Sequence, residues 1–167
     1  MLKQRVITAL VLLAILLPAL FYPSPLPFTM VVLVLMGAAA WEWARLNGLG
    51  GGAAVAVGAV CVALCGATWA LGGLVRGWPW LWSIGGGLWV LGSAWLLRAG
   101  VPGWPRVPAG LRLIAGVLAL WMAWLAVVQA RMVGINFLLS VLVLVWVADI
   151  FAYFAGRTFG LRFTRNK

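Results

Sequence analysis

Asp149 is the only acidic residue after Glu42, and it lies inside a long apolar run from Val141 to Gly156. A carboxylate at that depth in hydrocarbon costs about 3 kcal/mol on insertion scales, so it asks for a reason. On a helix advancing about 100° per residue, Asp149, Tyr153, Gly156 and Gly160 fall at about 0°, 40°, −20° and 20°, a single stripe. One acid, one phenol and two backbone openings on one face form part of a site. The carboxylate suits Mg²⁺, which takes one or two carboxylates plus waters and substrate phosphates. Arg157, Arg162, Arg165 and Lys167 follow at once and suit phosphate charge. A plainer reading stays open, in which Asp149 pairs with an arginine to lock a helix contact and the basic tail only sets topology.

Glu42 stands between Trp41 and Trp43, with Arg45 three residues on. This spacing predicts an interfacial ion pair beneath two anchoring rings, with a role in a site as the alternative. Other chemistries find no support. The chain has no His, and Ser24, Ser83, Ser93 and Ser140 have no base in sequence reach, which disfavours hydrolase and His-dependent mechanisms. Gly50–Gly52 lacks a following Lys-Ser or Lys-Thr and reads as a flexible connection, not a Walker-type phosphate loop. Cys61 and Cys65, four apart in an apolar segment, read as small packing residues.

These side chains must be carried by membrane helices. Of 167 residues 66% are hydrophobic and 8% charged, with a mean hydropathy of +1.14, which is the composition of an integral membrane protein. A span takes about 20 residues, so six spans leave only short connections and one compact membrane domain over residues 1–167. The apolar segments run at Val6–Phe21, Leu26–Ala44, Ala53–Leu74, Trp78–Leu97, Ala109–Gln129 and Ile135–Gly156. Backbone polar groups in hydrocarbon must be satisfied within each segment, so all six are helices. The breaks carry loop chemistry: Pro23, Pro25 and Pro27; Asn47 with Gly48; Gly77–Pro79; Pro102, Pro105 and Pro108; Gly134. The first segment lacks a small-x-small cleavage pattern where Pro18, Phe21 and Tyr22 sit, which favours a retained helix over a signal peptide.

Charge orients the bundle. With the N-terminus inside, Lys3, Arg5, Arg45, Arg98, Arg106, Arg112, Arg157, Arg162, Arg165 and Lys167 face the cytoplasm, and Arg76 and Arg131 lie outside. Ten against two is the bias of the positive-inside rule, and it puts both termini in the cytoplasm. The net charge of +10 is scattered between apolar runs, with no basic and aromatic surface for nucleic acid; contact with lipid headgroups or phosphorylated ligands fits better. Of the twelve Trp, those near segment ends read as interfacial anchors, whereas Trp89, Trp121, Trp124 and Trp146 read as packing residues. Gly58, Gly66, Gly72, Gly85–Gly87 and Gly92 would let helices approach closely.

Two stretches together resemble one family. The opening Met1–Leu2–Lys3–Gln4–Arg5–Val6–Ile7–Thr8–Ala9 is followed after the second span by Trp41–Glu42–Trp43–Ala44–Arg45–Leu46, and the close carries Asp149, Tyr153, Gly156, Arg157, Phe159 and Gly160. The pattern resembles the N-terminal part of the bacterial phosphatidate cytidylyltransferases, or CDP-diacylglycerol synthases. The likeness covers about residues 1–47 and 143–167, and the middle carries none of it. In that family the arginine–glycine segment continues into a Ser-Pro-Gly-Lys-Thr-Trp-like stretch, further membrane helices and a C-terminal signature rich in Lys, Asp, His and Arg. None of these follows Lys167. The expectation is therefore the N-terminal portion of a larger enzyme domain, with the catalytic residues beyond it and little or no activity of its own.

The resemblance implies transfer of CMP from CTP to phosphatidic acid, giving CDP-diacylglycerol and pyrophosphate, in the bacterial inner membrane. It implies Mg²⁺ as cofactor, with Asp149 as a metal-associated residue, Arg157 as a phosphate contact, and Tyr153, Gly156 and Gly160 shaping the cavity wall. CTP, phosphatidic acid and membrane lipids are the implied partners, and a homodimer is compatible with it. Set against this stand a small transporter with Asp149 as an ion relay, and a structural membrane subunit in which Asp149 only packs helices.

Overall fold

The computed structural model describes the backbone of residues 2–100, 103 and 106–163, with side chains from residue 7 to 158 except Ala9. Pro102, Trp104, Pro105, Arg165 and Lys167 lie outside the described residues, as do the side chains of Lys3, Arg5 and Arg162; Gly160 is placed only as a backbone position.

Six helices follow one another: α1 (Leu2–Phe21), α2 (Leu26–Leu46), α3 (Gly51–Ala70), α4 (Pro79–Ala99), α5 (Ala109–Val133) and α6 (Ile135–Phe163). Among the described residues five are long and apolar enough to cross a membrane, and the stretch Leu10–Phe21 of α1 is a shorter apolar helix. The chain is an all-helical, multi-pass membrane protein.

Prolines and glycines set the helix ends. α2 begins after Pro25 with Pro27 in its first turn, where the missing N–H is an orphan anyway, and α4 begins on Pro79. α2 closes with Gly48 at φ 89°; the Leu49 N–H reaches back to the Ala44 carbonyl at 3.0 Å and the Gly48 N–H to Arg45 at 3.0 Å. α3 closes the same way on Gly72 at φ 74°, with Gly73 donating to Thr68 at 2.8 Å and Gly72 to Trp69 at 2.9 Å. Both are left-handed caps in which only a residue without Cβ is unstrained. The second ends α3 at Ala70, four residues before Leu74, where the apolar run ends. Gly72 is therefore a cap and not a helix contact.

Residues Met1–Gln129 group into one compact unit and Ala130–Lys167 into another. In the first, α1 packs on α2 and α2 on α3. Ala19, Leu20, Phe28, Val32 and Leu33 are buried, and Ala40, Ala44, Ala54, Cys61 and Cys65 are completely so. The α2–α3 seam is made of small residues. A Cβ on Gly58 would stand 2.9 Å from the Gly37 carbonyl oxygen, and one on Gly37 would stand 2.7 Å from a Val62 methyl. In lipid, helices associate through this kind of backbone approach, because apolar surface gains nothing by leaving one hydrocarbon for another.

α5 is tied to its neighbours by polar tips and glycine notches. The Trp121 indole N–H donates to the Thr68 hydroxyl at 2.9 Å, and that hydroxyl donates to the Leu64 carbonyl at 2.8 Å. The Gln129 amide nitrogen spans the α3–α4 connection, 3.3 Å from the Leu74 carbonyl and 3.4 Å from that of Arg76. Gly85 of α4 lies against Met122. Trp124, Leu125 and Val128 are fully buried. Of the four tryptophans expected to pack, Trp121 and Trp124 do so. Trp89 and Trp146 are 68% and 60% exposed. Trp89 sits on α4, which buries no residue, and Trp146 on the exposed stretch of α6 from Val143 to Thr158. Gly58 and Gly85 are close-approach positions as expected, whereas Gly66, Gly86, Gly87 and Gly92 have open space where a Cβ would go.

In the second unit Gly134, at φ 156°, separates α5 from α6. Arg131 and Leu138 are buried, and the side chains from Val143 to Thr158 are exposed. α6 continues seven residues past Gly156, where the apolar run ends.

Candidate functional site

α6 is helical throughout the stretch that carries the acid, so Asp149, Tyr153, Gly156 and Arg157 take the helical register their spacing requires. Asp149 and Arg157 are exposed, and Tyr153 is 62% exposed with its ring edge-on to Phe154 at 5.5 Å between centroids. A Cβ on Gly156 would meet nothing within 4 Å. This is a bare polar stripe on an apolar helix, and among the described residues of its own unit nothing stands against it as an opposite wall. Among the described residues Asp149 forms no ion pair. The reading in which it locks a helix contact with an arginine is therefore not what the described residues show.

The other acid belongs to the first unit. Glu42 is exposed in the last turns of α2, and the Arg45 guanidinium does not pair with it. Instead the Arg45 Cζ lies 4.9 Å from the centroid of the Trp41 ring. An exposed ion pair at this spacing is worth only about 0.2–0.5 kcal/mol, less than a guanidinium on an indole supplies, and the ring wins. The expected Glu42–Arg45 pair is thus replaced by a cation–π contact. One position on, Trp43 turns the other way. Its indole N–H donates to the Arg112 carbonyl at 3.1 Å, and its ring lies directly on Gly116. The sequence offered a trace of the Trp121–Thr68 and Gln129 ties, since each sets a hydrogen-bonding group inside an apolar run. Nothing in it marked Gly37 or Gly116 as contact positions.

No three residues among His, Cys, Asp and Glu come together among the described residues, so they build no closed metal cage. A lone exposed carboxylate such as Asp149 still fits a hard cation that keeps most of its shell as water and substrate phosphate.

Residues 3–165 match the sequence profile of the cytidylyltransferase family. The chain belongs to the cytidylyltransferase family. Membership reaches across the middle of the chain, where the opening and closing motifs gave no guidance. A phosphatidate cytidylyltransferase of Pseudomonas aeruginosa is 36% identical over 172 residues, an alignment that takes in 97% of this chain and 60% of the relative. This cytidylyltransferase-family chain thus spans about 60% of the length of that curated relative. No solved structure matches it.

Proposed function

We propose that this chain forms an N-terminal, membrane-embedded portion of a phosphatidate cytidylyltransferase, acting in the inner membrane with both termini in the cytoplasm. The family match over residues 3–165 carries the reading. In the proposed reaction a phosphate oxygen of phosphatidic acid attacks the α-phosphorus of CTP. The new P–O bond forms as the bond to the β-phosphate breaks, and pyrophosphate leaves. Two anions must meet, so most of the rate comes from positioning and charge neutralisation.

Within this proposal Asp149, midway along α6, would hold Mg²⁺, and Arg157, two turns further, takes a phosphate group of nucleotide or lipid. When bound, the ion would neutralise phosphate charge. Tyr153, Gly156 and Gly160 leave a low, polar stripe between them, so a headgroup can approach the helix backbone. Both ionic groups are exposed, which suits residues that await a ligand. The ten-to-two distribution of basic residues supports the orientation.

The test is a chimera in which residues 1–167 replace the aligned segment of the Pseudomonas relative. CTP-dependent formation of CDP-diacylglycerol in membranes is the expected result, with little or none from residues 1–167 expressed alone. A chimera that inserts into the membrane and carries no transferase activity would overturn the reading. Labelling of single cysteines placed at Gly77 and Arg98 tests the orientation, with Gly77 reacting from outside and Arg98 from the cytoplasm.

A further inference from the structure

The last turn of α2 holds a second arrangement, apart from the α6 stripe assigned above to cytidylyl transfer. Ala40 and Ala44 are fully buried, and Trp43 is committed to α5. Trp41, Glu42, Arg45 and Leu46 are left exposed on the rest of the turn. The Arg45 Cζ lies over the Trp41 ring, 4.9 Å from its centroid, a contact that uses none of the N–H donors of the guanidinium fork in an ion pair. Among the described residues no acceptor meets that fork, and Glu42 forms no ion pair. Side chains three apart on a helix have Cβ atoms about 5–6 Å apart. An unpaired cation and an unpaired anion therefore stand side by side at the end of a membrane-spanning helix.

We propose that this turn binds the headgroup of an ethanolamine-bearing phospholipid. The phosphodiester lies on the edge of Arg45, the ammonium on the Glu42 carboxylate, and the glycerol and first acyl carbons against Trp41 and Leu46. A phosphodiester accepts two parallel N–H bonds from a guanidinium, and the N–H donors of Arg45 are not engaged by an acidic side chain. The exposed indole and the 75% exposed Leu46 side chain supply apolar surface at headgroup depth, which a soluble phosphate has no use for. Charge selects further. Glu42 and the negative end of the α2 dipole both oppose a multiply charged anion such as a nucleotide triphosphate, whereas a single phosphate charge tethered to an ammonium matches the pair.

The test is native mass spectrometry of the delipidated chain in detergent, titrated with phosphatidylethanolamine, phosphatidylglycerol, phosphatidylcholine and phosphatidic acid. Phosphatidylethanolamine is retained most strongly. Arg45→Gln weakens phosphatidylethanolamine and phosphatidylglycerol alike by about tenfold, as expected for loss of a charge-assisted bidentate contact. Glu42→Gln removes the preference for ethanolamine and leaves phosphatidylglycerol as tight or tighter. Arg98→Gln, at an exposed arginine in the last turn of α4, changes neither. Equal retention of all four lipids, a preference for ethanolamine over glycerol and choline headgroups that survives Glu42→Gln, or phosphatidylethanolamine retention that Arg45→Gln leaves unchanged would each overturn the proposal, whereas phosphatidic acid held at α6 is recognised by its insensitivity to Arg45→Gln. The result is independent of the transferase reading, because it is measured without turnover.

Discussion

The indole nitrogen of Trp43 hydrogen-bonds the carbonyl of Arg112, 69 residues away in sequence, while its ring rests on the bare Cα of Gly116. The contact fastens the end of α2 to the start of α5, and it exists because one side chain is large with a polar tip and the other is absent. Gly116→Ala puts a methyl where the indole lies. The net effect expected is a loss of about 1–3 kcal/mol, since overpacking outweighs the gain in helix propensity. Thermal unfolding in detergent reads it, and the loss should vanish when Trp43 is already Ala, because the two changes share one contact. A loss unaffected by Trp43→Ala would place the strain elsewhere.

The α2–α3 seam makes a contrast between two glycines. A Cβ on Gly58 meets backbone, the Gly37 carbonyl, which cannot move without moving the helix, while a Cβ on Gly37 crowds the tip of Val62 and is only in ordinary contact, 3.9 Å, with the Gly58 carbonyl. Gly58→Ala should therefore cost about 1–3 kcal/mol and Gly37→Ala less, with the remainder recovered by Val62→Ala. Gly66→Ala, with open space around it, should be neutral or stabilising by up to about 1 kcal/mol. Equal effects at all three positions in equilibrium unfolding would deny that the seam rests on close backbone approach.

Thr68 links α3 to α5 through the Trp121 indole. Thr68→Val keeps the shape and removes the acceptor. Interhelical hydrogen bonds in membranes average about 0.6 kcal/mol, so a loss of that order is expected, with Trp121 fluorescence reporting the unpaired indole. A shift of several kcal/mol would mean the hydroxyl holds more than this one partner.

Asp149→Asn should not weaken folding, because among the described residues no ion pair is lost and a neutral amide is cheaper than a carboxylate in hydrocarbon. In the chimeric transferase the same change should lower turnover by about tenfold or more, an amount equal to roughly 1.4 kcal/mol of barrier, and should alter its Mg²⁺ dependence. Arg157→Gln should raise the concentration of CTP or phosphatidic acid needed for half-maximal rate. Kinetics that stay unchanged across a magnesium titration would remove Asp149 from the site.

Cys61 and Cys65 are fully buried free thiols that form no disulfide. A membrane-permeant maleimide should leave both unmodified in the folded protein and label both after denaturation, as mass spectrometry of the two states would show. Rapid labelling before unfolding would mean the α2–α3 seam opens.

The six helices and their apolar faces could be read from the chain alone, because hydrocarbon forces every backbone polar group into a local hydrogen bond and about 20 apolar residues have no other stable form. The stripe of Asp149, Tyr153, Gly156 and Gly160 was equally legible, since a helical register depends only on spacing. What the helices meet was not. Whether a helical glycine is a seam, as Gly58 is, or has open space beside it, as Gly92 has, depends on a neighbour distant in sequence. The same holds for Arg45, whose nearest charged partner in sequence lost to an aromatic face. Local geometry is written in the order of residues, but the choice between competing partners is made only when the helices pack.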